Sequence, residues 1–133
     1  MLRLGYEEDR VKKGAIMAKV AIVCNGSEPG NVFPPFIIGS SSAASGDDVV
    51  LFFTPGGAPA LVKGRLEEIK GKGLPDLVEL YEGVRTLGGK IIVCELALEA
   101  KGLKAEDFRD GVEIMGATGW LNDIKDATLT FSF

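Results

Sequence analysis

The sequence predicts a three-layer α/β/α sandwich on a mostly parallel sheet of about five strands. Two observations carry that prediction. The β-forming segments are apolar throughout rather than alternating, and helical patterns separate them. A strand that is apolar on both sides is buried on both sides, as a parallel sheet between two helical layers requires. A chain of 133 residues is large enough to bury one continuous core of this kind.

The elements follow in order. "AKVAIVCN" (18–25) reads as a buried strand that ends in the polar turn "GSEPG". "NVFPPFIIGSSSAASG" reads as a helix capped by Asn31, with Pro34 and Pro35 held to its first turn because proline lacks the N–H an interior position needs. Its small residues Gly39, Ser40, Ala43 and Ala44 would let it lie close on a sheet. "DVVLFFT" (48–54) is the second strand, stopped by "PGGAP". "LPDLVELYEGVRTLGG" (74–89) places Leu77, Leu80, Tyr81 and Val84 at helical spacing before a glycine stop. "KIIVCE" is the third strand and "LALEAKG" a short helix ended by Gly102. "GVEIMG", "ATGWLNDIKD" and "ATLTFSF" complete the chain as strand, short helix and strand. Strand order is not encoded in any local pattern. Met17 directly precedes the first strand, so residues 1–17 are expected to be an N-terminal extension to a single domain spanning 18–133.

Composition excludes several functions. The net charge is −4 and the pI about 4.9, with no basic run beyond Lys12-Lys13, so a nucleic-acid surface is not expected. No stretch approaches the roughly 18 apolar residues of a membrane span. The first sixteen residues are studded with charges and lack the apolar region of a secretory signal. A cytoplasmic protein without a membrane partner is the expectation. Two cysteines make no disulfide framework. Histidine is absent, which removes His-based metal sites, Ser-His-Asp triads and Cys-His dyads. Neither a dinucleotide fingerprint nor a Walker A motif is present, so no cofactor and no metal are expected.

Ligand sites in open parallel sheets form beyond the carboxyl ends of the strands. Here those ends are "CNGSEPG", "TPGGAP", "CELA" and "MGATGW", so Cys24, Cys94, most turn glycines and the lone Trp120 gather at one edge. Cys94 has two readings. It is either a small apolar plug, since free cysteine is among the most buried residues, or a thiolate at a strand-to-helix junction, where a helix N-terminus stabilises negative charge. Glu95 opposes the second reading if its carboxylate points at the sulfur. Cys24 continues the buried run "VAIVC" and is a possible second thiol. The expected pocket around Cys94 comprises Gly26, Ser27, Thr54, Gly56, Gly57, Glu95, Gly116, Thr118 and Trp120: glycines permit close backbone approach, and tryptophan gives an apolar wall. Thr118 is read as a helix N-cap first. Lys63 and Arg65 either attract an anion or form a solvated helix face, and Glu67-Glu68 reads as helix surface.

The segment "VCELALEAKGLKAEDFRDGVEIMGATGWLNDI", supported by "AASGDDVVLFFTPGG", resembles the DsrE/DsrF-like superfamily, in particular its predicted-peroxiredoxin and sulfur-relay branch. The resemblance covers roughly residues 18 to 133. It implies a parallel α/β/α sandwich, assembly as an oligomer, and sulfur handled as a cysteine persulfide with Cys94 at the matching position. The sequence departs from the family at Glu95 and Glu99, where related chains often carry uncharged or methionine-rich residues. Sulfur transfer suits a chain without histidine, because it needs a thiolate and a sulfane donor but no general base.

The leading expectation is therefore a small sulfur-relay protein, a sulfurtransferase or persulfide carrier, that carries sulfane sulfur on Cys94. Its partners would be protein or small-molecule sulfur donors and acceptors, within a homo-oligomer. The alternatives are a non-catalytic oligomeric binding module with a packed cysteine, and a thiol redox protein pairing Cys94 with Cys24. A C-terminal strand ending "TFSF" supports assembly, since one subunit need not cover both Phe131 and Phe133.

Overall fold

The computed structural model describes residues 17–133, so all of the expected N-terminal extension except Met17 lies outside the described residues. The three apolar runs form the centre of the sheet as β1 (Lys19–Cys24), β2 (Asp48–Phe53) and β3 (Lys90–Cys94). β4 (Val112–Met115) and β5 (Leu129–Ser132) form its edges. The order is β4-β3-β2-β1-β5 and every pairing is parallel. The five-stranded parallel sheet is the predicted one.

The helical cover is uneven. α1 (Pro29–Ala44), α2 (Arg65–Glu68), α3 (Leu77–Thr86) and α4 (Leu96–Ala100) all serve one face. Val20, Ile22, Cys24, Val49, Leu51, Phe53, Ile91 and Val93 point into that larger core. The other face carries Ala21, Val50, Phe52, Ile92 and Cys94 and is covered by α5 (Ala117–Asp123). Trp120 of α5 stacks on Phe52 with ring centroids 4.4 Å apart and planes 23° from parallel. The far end of α5 is held by two lysines at strand starts. Lys19 donates to the Asp123 carbonyl and pairs with Asp126 at 3.1 Å, and Lys90 pairs with Asp123 at 3.4 Å. This arrangement follows from topology. Three successive right-handed crossovers stepping the same way put their helices on one face, and the return from β4 to β5 puts α5 on the other.

α1 corrects the sequence reading in detail. It starts two residues before Asn31, with Glu28 as the extended capping residue and Pro29 at the first helical position. Proline is favoured there because its fixed φ suits the helix and its missing N–H is not needed. Pro34 and Pro35 consequently lie inside the helix, in its second turn. Gly39 and Ala43 are buried, and a Cβ at Gly39 would stand 3.3 Å from Leu51, so α1 does lie close on the sheet. Ser40 instead faces α3 at Gly83, and Ala44 is exposed. α3 forms as its spacing predicts, with the Asp76 side chain accepting from the Val78 N–H at 2.8 Å and Gly88 closing the helix at φ 88°. At α5 the capping residue is Gly116, and Thr118 is an exposed first-turn residue.

Candidate functional site

Cys94 is the last residue of β3, and its register partner on β4 is Met115. The Glu95 N–H donates to the Met115 carbonyl at 3.1 Å, tying the two strand ends together. From there the exits diverge. After Cys94 the chain passes into α4 on the larger core face, and after Met115 it passes through Gly116 into α5 on the other. Neighbouring parallel strands whose exits part in this way open a crevice at their carboxyl ends, the usual ligand position in such sheets. Cys94 sits at that point, 4% exposed, in one cluster with Phe52, Ile92 and Trp120 and with Met115 packed against it. The indole Nε1 of Trp120 is buried there with no hydrogen-bond partner among the described residues.

The Glu95 carboxylate lies against Gly116, where a Cβ would stand 2.9 Å from Glu95 Oε1. Close backbone approach at residue 116 thus serves this contact. α4 has only five residues, so few aligned peptide dipoles back a thiolate at its start. A groove of about 570 Å³ runs along α4, lined by Glu95, Leu96, Leu98, Glu99 and Ala100.

The other expected pocket residues gather at the same edge but around the end of β1. Thr54 donates through Oγ1 to Asn25 Oδ1 at 2.6 Å, and its N–H bonds the Cys24 carbonyl. A Cβ at Gly57 would stand 2.4 Å from the Cys24 carbonyl oxygen, and one at Gly56 2.5 Å from that of Asn25. The space at these two glycines is therefore taken by the neighbouring strand end. A Cβ at Gly26 would meet the Asn31 side chain, and Ser27 is half-buried in the same turn.

Cys24 has a structural explanation that the sequence partly conceals. Its Sγ lies 3.3 Å from the carbonyl oxygens of both Gly26 and Asn31. In an unbroken α-helix the Asn31 carbonyl would accept from residue 35, but Pro35 has no N–H to give. The Cys24 thiol fills that opening. It is fully buried, and burial pushes its pKa up to about 11.

The two thiols cannot pair within one chain, which corrects the redox-pair alternative. Cys24 is level with Phe53, and Phe53 with Val93, so Cys94 is one step out of phase and faces the other side of the sheet. With β2 between them, their Cα atoms are roughly 10 Å apart, against a disulfide limit near 7 Å.

One cluster escaped the sequence reading. Arg109 meets Glu67 through two contacts at 2.9 and 3.3 Å, its guanidinium lies 4.9 Å from the Tyr81 ring centroid, and Arg85 stands 5.9 Å from the same ring. Tyr81 donates to the Asp110 carbonyl, and burial pushes its pKa up to about 12. Glu67 is thus more than helix surface: its hydrogen bond to Arg109 holds its carboxyl below the usual range. These charges, with Lys63, line a cavity of about 290 Å³. The Tyr81–Arg85 spacing of four residues was visible in the sequence, but Arg109 comes from a distant loop. Among the described residues no group of three or more His, Cys, Asp or Glu side chains converges as a metal site, and no helix is long and apolar enough to cross a membrane.

A five-stranded, all-parallel sheet with helices on both faces defines the class of fold. The chain belongs to the DsrE/DsrF-like family, whose model matches residues 18–133. Over 72 residues it is 35% identical to an uncharacterized protein of Methanocaldococcus jannaschii, covering 54% of this chain but 26% of that longer protein. It is 25% identical to the sulfur carrier protein DsrE2 of Allochromatium vinosum over 77% of this chain and 89% of the relative. The fold matches that of the ychN protein from E. coli, with a TM-score of 0.72, 20% identity, and coverage of 88% of this chain and 100% of the other. A protein of unknown function from Methanobacterium thermoautotrophicum matches with a TM-score of 0.63 and 15% identity, over 86% and 96% of the two chains.

Proposed function

We propose that this protein is a cytoplasmic sulfur carrier that holds sulfane sulfur as a persulfide on Cys94 and passes it between partners. The observation that carries the reading is the place of Cys94, at a pair of neighbouring strands whose exits diverge to opposite faces of the sheet. Similarity to a protein named as a sulfur carrier supports it. The step is an exchange between sulfurs. The Cys94 thiolate attacks the outer sulfur of a donor R–S–SH, the donor S–S bond breaks as the new one forms, and R–S⁻ leaves. Nothing is oxidised overall, so neither imidazole nor a redox cofactor is needed. We further propose a homo-oligomer, supported by Leu121, Leu129 and Phe131, which the single chain leaves exposed. Phe133, by contrast, packs against the larger core.

The 4% exposure of Cys94 favours a second reading, a binding module with a packed cysteine. Intact-protein mass spectrometry after incubation with a sulfane donor separates the two. Mass gained in steps of one sulfur atom, and lost in Cys94→Ser while the urea unfolding midpoint is kept, is the expected result. An unchanged mass in the parent protein, or loading that persists in Cys94→Ser, refutes the carrier.

A further inference from the structure

The indole of Trp120 carries the only buried side-chain nitrogen or oxygen among the described residues that has no hydrogen-bond partner. Folded proteins leave few such groups, because a buried donor that bonds nothing is costly, and one at a candidate site points to an acceptor brought by a ligand. Its surroundings narrow the choice. In the cluster that holds Trp120 the other side chains are hydrocarbon, apart from the two sulfurs of Cys94 and Met115. Trp120 sits in the first turn of α5, its backbone N–H donating to the Gly116 carbonyl at 3.1 Å, and Met115 just before that turn is level with Cys94. The ring stacks on Phe52, Phe52 is level with Ile92, and Cys94 is the next residue on that face of β3, roughly 7 Å of strand further on. Ring and sulfur therefore share one side of the sheet at one end of it.

We propose that the Trp120 indole N–H is the hydrogen-bond donor for the outer sulfur of a Cys94 persulfide, and that this bond retains the sulfur inside an apolar cluster. The inference rests on the reading of Cys94 as a persulfide carrier and adds the group that holds the cargo. After the exchange the Cys94 persulfide gives its proton to water, leaving Cys94–S–S⁻ with the charge on the outer sulfur, about 2 Å beyond Sγ. A buried anion is disfavoured unless a donor meets it, and a hydrogen bond to a charged acceptor is stronger than one between neutral groups. Met115, unbranched and packed against the cluster, can shift to admit the added atom. Phenylalanine in place of Trp120 would keep an aromatic ring on Phe52 and lose the donor.

The chain has a single tryptophan, so the full ¹⁵N-labelled protein gives one indole N–H resonance. Loading Cys94 from hydropolysulfide, followed by mass, should move that resonance downfield, as donation to an anion does, while Cys94→Ser treated alike should show no movement. A second measurement sets the protein in equilibrium with glutathione persulfide and glutathione. There the ratio of loaded to free Cys94 should be about tenfold lower in Trp120→Phe than in the parent, the loss expected for one hydrogen bond to a charged group. The urea unfolding midpoint confirms the fold of the variant, and should it fail to fold, the resonance of the parent alone decides. An indole resonance that stays in place while the mass gains a sulfur, or an equal ratio in a folded Trp120→Phe, would overturn this proposal and leave the carrier reading standing. A parent protein that gains no sulfur from either donor would overturn the carrier reading and this proposal with it.

Discussion

Cys24 and Cys94 end two strands of one sheet at the same edge, and the fold gives them different surroundings. Cys24 points into the larger core, fully buried, with its sulfur between two carbonyl oxygens, one of them left open by Pro35. Cys94 points to the thinly covered face, where the exits of β3 and β4 part and an exposed carboxylate lies against Gly116. One thiol completes the backbone hydrogen bonding of α1. The other closes nothing that the structure records. Position at a strand's carboxyl end therefore does not fix a cysteine's surroundings; the face its sulfur takes does.

The sharpest way to break this contrast is native-state alkylation. A rise in pKa from 9.0 to about 11 lowers the thiolate fraction of Cys24 at neutral pH by about 100-fold, before steric shielding from the reagent is counted. Iodoacetamide should modify Cys94 first, and Cys24 at least ~100-fold more slowly in the folded protein than in urea. Peptide mapping after timed quenching checks both rates. If Cys24 is labelled first, the assignment of roles is reversed.

A smaller effect sharpens the structural half. Cys24→Ala leaves the Asn31 carbonyl without a donor and opens a small void beneath α1, which should cost ~1–3 kcal/mol in urea unfolding. Sulfur loading on Cys94 should be unchanged in this variant. A parallel loss of loading would show that the two ends of the sheet edge act together.

How far the sequence reached can be argued from the same residues. β1, β2 and β3 were legible because continuous apolar runs such as "VVLFF" are what a strand buried on both faces requires. The edge position of Cys94 followed from those strand ends. Which face each sulfur takes was not legible, because it depends on register, and register is set by pairing between distant segments. The pairing of Cys24 with Phe53 and Val93 is what puts Cys94 on the opposite side. The cap at Asn31 failed for a local reason: Pro29 supplied a better first helical residue, and the two interior prolines were accommodated by a thiol from β1. Uneven cover of the sheet was hidden because it follows from strand order.

The smallest expected effect is on alkaline stability, and its sign follows from proton binding. In the folded protein burial holds the Cys24 thiol protonated up to about pH 11, whereas in the unfolded chain it ionises near its ordinary value of 9.0. Between those values the unfolded chain binds fewer protons, so raising the pH favours unfolding. The stabilisation from the buried neutral thiol is complete below about pH 9 and is lost as the pH climbs through the folded value. At pH 10, midway through that window, the loss amounts to about 1 kcal/mol. Other groups, Tyr81 among them, titrate in the same range, so the comparison is between the parent protein and Cys24→Ala, each unfolded in urea at neutral pH and near pH 10. The difference in stability between the two proteins should narrow by about 1 kcal/mol on going to the higher pH. A difference that stays constant would mean that Cys24 ionises alike in the folded and unfolded chain, and that its sulfur is not held by the carbonyls of Gly26 and Asn31.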